Sequence, residues 1–227
     1  MNQFTPIDLT RWPRAGQYHL FTQQWTTVSY TVTQKLDAAR TVAWCHTRHQ
    51  KFVPALLWAV TRSMLEQENF RLAVRDGVLG SWDVIHPIYP VVTDAGNLIF
   101  CSTPYTPDYG AFYGTYRTQQ RAVRLDGNEA FAGPMPENGY ILSVVPYMDF
   151  SSVSFHLKNA KNYYAPVLDI GRYTSQGDRL MMPVSLTINH AAADLHHVHR
   201  MLTALQALLD SPETWCRVPG TGKEMHP

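Results

Sequence analysis

The chain is poor in cysteine and in charge. Its 227 residues include 3 cysteines, and 16% of its side chains are charged. Cys45, Cys101 and Cys216 are an odd and widely spaced set, which argues against a disulfide framework and against a Cys-x-x-Cys metal site. Free, buried thiols in a reducing compartment are the simplest account, so a cytoplasmic location is expected.

Long apolar runs and clusters of one charge are also missing. No run approaches the roughly 18 apolar residues that span a bilayer. Residues 1–8 lack the basic flank and apolar stretch of a signal peptide. The formal net charge is +1, and Lys and Arg are scattered. The composition therefore predicts a soluble globular protein with neither nucleic acid nor membrane as a partner.

What the chain does have is apolar and aromatic side chains. Hydrophobic residues make up 45%, enough for a substantial core, and neither repeats nor a linker divide the sequence, so we expect a single domain over 1–227. The 6 Trp, 12 Tyr and 9 Phe, set against so little charge, favour a homo-oligomer.

Apolar periodicity predicts helices and strands interspersed along the chain. Helices are predicted near Asp37, at Pro54, after the N-cap residue Asp108 and from Leu195. One or two strands are predicted over 18–32, and further strands at 70–75, 81–92, 97–102, 140–145, 153–157, 166–171 and 179–188, with tight turns at 76–77 and 94–96. This order predicts an α/β protein, a two-layer sandwich in which a mixed, mainly antiparallel sheet is covered by helices.

The most informative feature is His190 with Asp194 four residues later. His190 follows the buried strand 179–188, and Asp194 precedes an amphipathic helix. A histidine at the end of a strand is placed for proton chemistry at neutral pH. The spacing also fits an ordinary core histidine that hydrogen-bonds a backbone carbonyl, and spacing alone leaves both interpretations open.

A metal site is a second interpretation of this region. Further imidazoles follow on the helix, at His196, His197 and His199. The cluster lacks the HExxH order and a cysteine partner, so a solvated helix face is the simpler explanation, and no metal is expected.

Six segments resemble a known family over nearly the whole chain. They are 8–14 (DLTRWPR), 51–54 (KFVP), 70–76 (FRLAVRD), 143–150 (SVVPYMDF), 163–166 (YYAP) and 177–194 (GDRLMMPVSLTINHAAAD). Their order and spacing resemble a chloramphenicol acetyltransferase of the catalytic-histidine type, within the CoA-dependent acyltransferase superfamily. The acyltransferase cores of 2-oxo acid dehydrogenase complexes share the His-x-x-x-Asp arrangement.

The resemblance implies transfer of an acetyl group from acetyl-CoA, a co-substrate rather than a bound cofactor, to the primary hydroxyl of chloramphenicol. It implies that His190 is the general base and that the Ser143 hydroxyl stabilises the oxyanion. Asp194 is expected to pair with Arg14, while the histidine's own carbonyl fixes its tautomer. A homotrimer is implied, with active sites at subunit interfaces and each histidine facing the neighbour's acceptor pocket.

The binding residues follow from matching positions. The implied acceptor pocket contains Phe21, Tyr30, Phe131, Val153, Phe155, Leu157, Val167 and Asp169. The implied CoA contacts are Lys51, Tyr147, Arg172 and Tyr173.

Three positions depart from the family pattern. Asn189 replaces a common histidine, Leu195 replaces a common glycine, and Asp169 stands where threonine is frequent. A leucine would be strained if its position required a positive φ. These departures keep two alternatives open: an acetyltransferase for a different hydroxylated acceptor, and a non-catalytic relative that only binds small molecules.

Overall fold

The structure is a computed structural model that describes residues 2–25, 28–123, 129–156 and 162–218. The helices are α1 (Ala15–His19), α2 (Ala39–Thr47), α3 (Phe52–Leu65), α4 (Tyr109–Ala122) and α5 (Leu195–Asp210). The strands are β1 (Phe4–Pro6), β2 (Ser29–Asp37), β3 (Leu72–Arg75), β4 (Val78–Trp82), β5 (His86–Val92), β6 (Leu98–Ser102), β7 (Gly139–Val145), β8 (Val167–Gly171), β9 (Thr174–Gln176) and β10 (Arg179–Asn189).

The main sheet has the order β2-β10-β8-β7-β5-β6, and β9 pairs with the start of β10. Pairing is antiparallel except at β7, which runs parallel to both β5 and β8. A small antiparallel sheet, β1-β4-β3, lies apart. The predicted fold class, a mixed and mainly antiparallel sheet covered by helices, is confirmed.

The side chains of strand β10 alternate between the core face of the main sheet and its opposite, polar face. Val184, Leu186 and Ile188 are at most 1% exposed and belong to the core, which includes the apolar sides of α3 and α5. The alternate residues Ser185 and Thr187 point to the opposite face, because successive strand side chains alternate. The strand therefore places hydroxyl groups on one side of the sheet and aliphatic side chains on the other.

The predicted strand 18–32 is wrong over its first half. Residues 15–24 are helical, as α1 and a π-helical turn, and β2 begins at Ser29. Tyr18, Phe21 and Trp25 are spaced by three and four, which is a helical period, and Phe21 and Trp25 make an edge contact with ring centroids 5.5 Å apart. The alternating and β-branched residues that predict a strand over 18–32 form one only in its second half.

Two further strand predictions need correction. The predicted strand 81–92 is two strands, because β4 leaves for the small sheet and β5 starts at His86. Residues 153–156 form no strand, and the Val153 carbonyl is satisfied by the Ser185 hydroxyl at 2.6 Å. Leu157 lies outside the described residues.

The local signals for caps and turns were correct. The Asp108 carboxylate accepts the backbone N–H groups of Gly110 and Ala111 at the start of α4. Asp76 and Gly77 both have positive φ, 51° and 79°, as the tight turn between β3 and β4 requires. Across the described ranges, no helix is long and apolar enough to cross a membrane.

Candidate active site

His190 begins the turn, residues 190–193, that joins the end of β10 to α5. Its backbone N–H donates to the carbonyl of Val28, which ties the turn to the segment before β2. The side chain of Asn189 accepts the N–H of Ala191 at 2.9 Å. Asparagine at 189 therefore makes a hydrogen bond that closes the turn.

Every carbonyl of this turn accepts a hydrogen bond from a side chain that is distant in sequence. The bonds are Arg14 Nη2 to His190 (3.2 Å) and Ala191 (3.5 Å), Asn69 Nδ2 to Ala192 (2.8 Å), and the Tyr30 hydroxyl to Ala193 (3.0 Å). Burial, reinforced by the charge of Asp194, raises the pKa of Tyr30, so its hydroxyl keeps its proton as a donor. Three separate elements hold the histidine's backbone in place.

The imidazole of His190 is held by its neighbours. Phe21 stacks on it at 4.1 Å with 14° between planes, and Tyr30 meets it edge-on at 5.0 Å. Nδ1 is buried and lies 3.3 Å from Oδ1 of Asp194, whereas the side chain as a whole is 30% exposed. The accessible part of the ring is therefore on the Nε2 side.

Arg14 and Asp194 form the expected ion pair, with both terminal guanidinium nitrogens, Nη1 and Nη2, on the carboxylate. Burial alone would raise the pKa of Asp194, but the hydrogen bonds and charge of Arg14 outweigh it and lower the pKa. The hydrogen bond from Nδ1 to the histidine's own carbonyl, which the resemblance implies, is not formed. That carbonyl accepts from Arg14 instead.

Leu195 is unstrained at the position where glycine was expected. It is the first residue of α5, and positive φ outside glycine occurs, among the described residues, at His49 and Asp76. Its side chain is 62% exposed. The turn therefore needs no glycine here.

The histidines of α5 are partly used by the helix end. Asp194 and His197 form a capping box, in which Nδ1 of His197 accepts the N–H of Asp194 at 3.0 Å. Burial, with the nearby His196 and Arg14, lowers the pKa of His197 to about 4. Asp194, His196 and His197 are close enough to share a metal ion, but Asp194 and Nδ1 of His197 already have partners.

Ser143 lies elsewhere, on the polar face of the sheet. It pairs with Asp169 on β8, which pairs with Ser185 on β10, which pairs with Thr33 on β2. Because directly paired residues point to the same face, these four side chains form one row, which we call the polar row. Burial raises the pKa of Asp169, and the neighbouring Ser143 hydroxyl partly offsets this.

His190 and Ser143 are far apart within one chain. His190 is five residues beyond Ser185, which is about 17 Å along the strand direction. Ser143 lies two strands to the side of Ser185 in register, about 10 Å away. One chain therefore cannot bring both side chains to the same reacting carbonyl.

The expected acceptor residues separate in the same way. Phe21 and Tyr30 lie at the imidazole, whereas Val167 lies on β8 two residues before Asp169. Phe131 lies beside β6 at the sheet edge and is 51% exposed. The carbonyl of Val153 accepts a hydrogen bond from the Ser185 hydroxyl, and the side chain of Phe155 is exposed. Leu157 lies outside the described residues.

The four expected CoA residues gather at one place. The ring of Tyr173 contacts that of Phe52 at 6.1 Å, beside Lys51 at the start of α3. The N–H of Arg172 donates to the carbonyl of Met148, the neighbour of Tyr147. Two cationic and two aromatic residues thus lie, through these neighbouring contacts, near the end of β8.

Sequence reasoning missed Asn69. It lies in the middle of a short 3-10 helical turn, Glu68–Phe70, and its side-chain amide donates to the carbonyl of Ala192 in the turn 190–193. A single asparagine carries no motif, so the sequence offered no signal for this contact.

The comparisons with known proteins decide the family. The chloramphenicol acetyltransferase family model matches residues 1–206. The chain belongs to the chloramphenicol acetyltransferase family. The chloramphenicol acetyltransferase of Escherichia coli is 32% identical over 209 residues, covering 91% of this chain and 94% of that protein. The one of Staphylococcus aureus is 29% identical over 215 residues, with 93% and 98% covered.

Solved structures agree on the fold of this acyltransferase. A chloramphenicol acetyltransferase structure superposes with a TM-score of 0.82 at 22% identity, covering 91% of this chain and all of the other, 100%. The dihydrolipoamide acetyltransferase of Azotobacter vinelandii gives a TM-score of 0.61 at 16% identity, with 93% of each chain covered. The predicted family and enzyme class are both confirmed.

Proposed function

We propose that this protein transfers the acetyl group of acetyl-CoA to the primary hydroxyl of chloramphenicol, with His190 as the general base. The observation that carries the proposal is the state of His190. In a member of this family, its ring is stacked, its Nδ1 is covered and its Nε2 side is open. That arrangement presents one basic nitrogen in a fixed direction.

The chemistry is a direct transfer. Nε2 of His190 takes the hydroxyl proton as the alcohol oxygen bonds to the thioester carbonyl carbon. The tetrahedral intermediate then collapses, the C–S bond breaks, and the imidazolium returns the proton to the departing CoA thiolate. The products are the acetate ester and CoA thiol, and the histidine ends as it began. A positioned base of this kind is worth about 10²–10⁴ in rate.

The oxyanion is stabilised by Ser143 of a neighbouring subunit. The separation of Ser143 from His190 within one chain supports a site shared between copies, because the two groups must lie within about 3 Å of one reacting carbonyl. A homotrimer satisfies this by facing each His190 towards the next chain's polar row. Exposed Trp25 and Leu195 lie near His190 and suit such a contact.

The acetyl-CoA site is the cationic and aromatic group around β8. Lys51 and Arg172 would meet phosphates, and Tyr147 and Tyr173 offer exposed rings for stacking. The acceptor pocket would be lined by aromatic and aliphatic side chains, those of Phe21, Tyr30, Phe131, Phe155, Val153 and Val167. The proposal includes the cytoplasm as location, because acetyl-CoA is made there and three free, buried thiols stay reduced.

The proposal is tested by thiol release. Purified protein is mixed with acetyl-CoA and chloramphenicol, and free CoA thiol is followed with a thiol reagent. His190→Ala should lower kcat by about 10²–10⁴. His199→Ala removes an exposed imidazole of α5, the helix that follows the turn of His190, and should leave kcat unchanged. Chloramphenicol binding without thiol release by the wild type would favour the non-catalytic alternative, and full activity of His190→Ala would refute the base.

A further inference from the structure

The polar row contains a carboxylate beside the proposed oxyanion donor. Ser143 and Asp169 are direct partners on parallel strands, with Cα atoms about 5 Å apart. Asp169 is only partly exposed, and within the described ranges it forms no ion pair. A charge in this position affects whatever binds next to Ser143.

Ser185, the neighbour of Asp169 on the other side, has no proton left to donate to the Asp169 carboxylate. The Ser185 hydroxyl has one proton, which it donates to the Val153 carbonyl at 2.6 Å. Thr33, at 3.0 Å, must then be the donor to Ser185. The carboxylate is therefore left with the Ser143 hydroxyl as its donor in the row.

Ser143 has one proton for two acceptors. A hydroxyl that donates to an ionised carboxylate cannot at the same time donate to a developing oxyanion. With a neutral acceptor bound, the Asp169 carboxylate competes with the oxyanion for the Ser143 proton and also repels the oxyanion, so Ser143 stabilises the transition state less than it would without this charge. A cation of the acceptor next to Asp169 would neutralise the carboxylate and release the Ser143 proton for the transition state.

The geometry points to Asp169 as a specificity-determining residue that selects, as acceptor, an alcohol with a protonated amine on the carbon next to the reacting carbinol. The spacing sets this substrate class: Ser143 meets the reacting carbonyl, and Asp169 lies one strand away, so the cation must be near the reacting oxygen. This inference rests on the proposed acetyl transfer and names its preferred acceptor.

The test compares two acceptors with one skeleton. Chloramphenicol carries a neutral amide on the carbon next to its primary alcohol. Its deacylated base, dimethylated at nitrogen, carries a cation there and cannot form an amide product. The ratio of kcat/KM for the cationic acceptor to that for chloramphenicol is measured in the wild type, in Asp169→Asn and in Ser185→Ala.

The ratio should favour the cationic acceptor in the wild type and fall by at least about tenfold in Asp169→Asn, since a charge-assisted hydrogen bond is lost. Ser185→Ala alters the same row without changing its charge and should leave the ratio unchanged. An unchanged ratio in Asp169→Asn would overturn the inference.

Binding separates this inference from the proposed reaction. The His190→Ala protein and its Asp169→Asn derivative are titrated with both acceptors by calorimetry, which needs no turnover. The cationic acceptor should bind His190→Ala at least about tenfold more tightly than the double variant. Equal affinities would reject the role of Asp169 even if acetyl transfer is real, and tighter binding by His190→Ala would uphold it even if the reaction fails.

Discussion

At the scale of single residues, the proposed base is fixed through its backbone more than through its ring. Phe21 stacks on the ring, but all four carbonyls of the turn 190–193 are held by side chains from elsewhere. A base must point at its proton within a fraction of an ångström. Loosening one of these carbonyl contacts should therefore reduce turnover before it unfolds the protein.

Asn69→Ala tests this directly. It removes the amide that holds the carbonyl of Ala192 at 2.8 Å. We expect kcat for acetyl transfer to fall about 10-fold or more because the turn shifts, while KM for acetyl-CoA stays near its original value. Steady-state thiol release gives both constants.

The chain offers a matched control at Asn138, whose amide also donates to a backbone carbonyl, that of Val84, at 2.8 Å. Asn138→Ala should cost a similar free energy of unfolding, about 1 kcal/mol, without lowering kcat. Equal losses of kcat in the two variants would show that the effect of Asn69 is only one of stability.

The sequence predicted the ion pair of this network but not the side-chain hydrogen bonds to the carbonyls of the turn. The Arg14–Asp194 pair was expected because both residues sit in segments that resemble the family. Asn69 and Tyr30 act through single hydrogen bonds to carbonyls, and such contacts depend on tertiary packing that leaves no periodic trace. The polar row was hidden too, because strand register is set by the whole sheet.

At the scale of elements, one residue at the start of α5 belongs both to the candidate site and to the cap of the helix. Asp194 serves both Arg14 and the capping box with His197. Leu195 starts the helix with ordinary backbone geometry, so its departure from the family pattern needs no compensation. Caps and turns were predictable because they depend on neighbouring residues. Residues 18–24 were misassigned as a strand because the helical spacing of Tyr18, Phe21 and Trp25 was overlooked beside the alternating and β-branched residues of the segment.

The buried cap at His197 predicts a pH dependence of stability. Folding lowers the pKa of His197 from 6.5 to about 4, so the unfolded chain binds this proton more tightly. Stability is therefore unaffected above about pH 6.5 and falls as the pH drops towards 4. His197→Gln keeps a cap acceptor but cannot titrate. Relative to it, the wild type should lose about 2 kcal/mol between pH 7 and pH 4.5.

Urea unfolding at one fixed protein concentration measures this difference, since the proposed oligomer makes stability depend on concentration. His199→Gln replaces an exposed imidazole on the same helix, and its free energy of unfolding should change with pH as that of the wild type does. If His197→Gln also follows the wild type, the cap histidine does not carry the pH dependence.

At the scale of the whole molecule, the sheet separates His190 and Ser143, the two groups that the proposed reaction needs. The family resemblance implied a shared active site, and the pairing of β7, β8 and β10 gives that idea a physical basis. Ser143 belongs to the middle of the polar face, and His190 to the end of a strand two positions away. Composition indicated an oligomer, but neither it nor periodicity could show which side chains a neighbour must supply.

Mixing two inactive variants measures this most directly. His190→Ala and Ser143→Ala chains are denatured together in equal amounts, refolded, and assayed for thiol release with acetyl-CoA and chloramphenicol. If each site takes its histidine from one chain and its serine from the next, random assembly makes about a quarter of the sites intact, and activity should recover to about a quarter of the wild type. Activity no higher than the average of the two variants refolded separately would contradict the shared site, and with it the proposed mechanism.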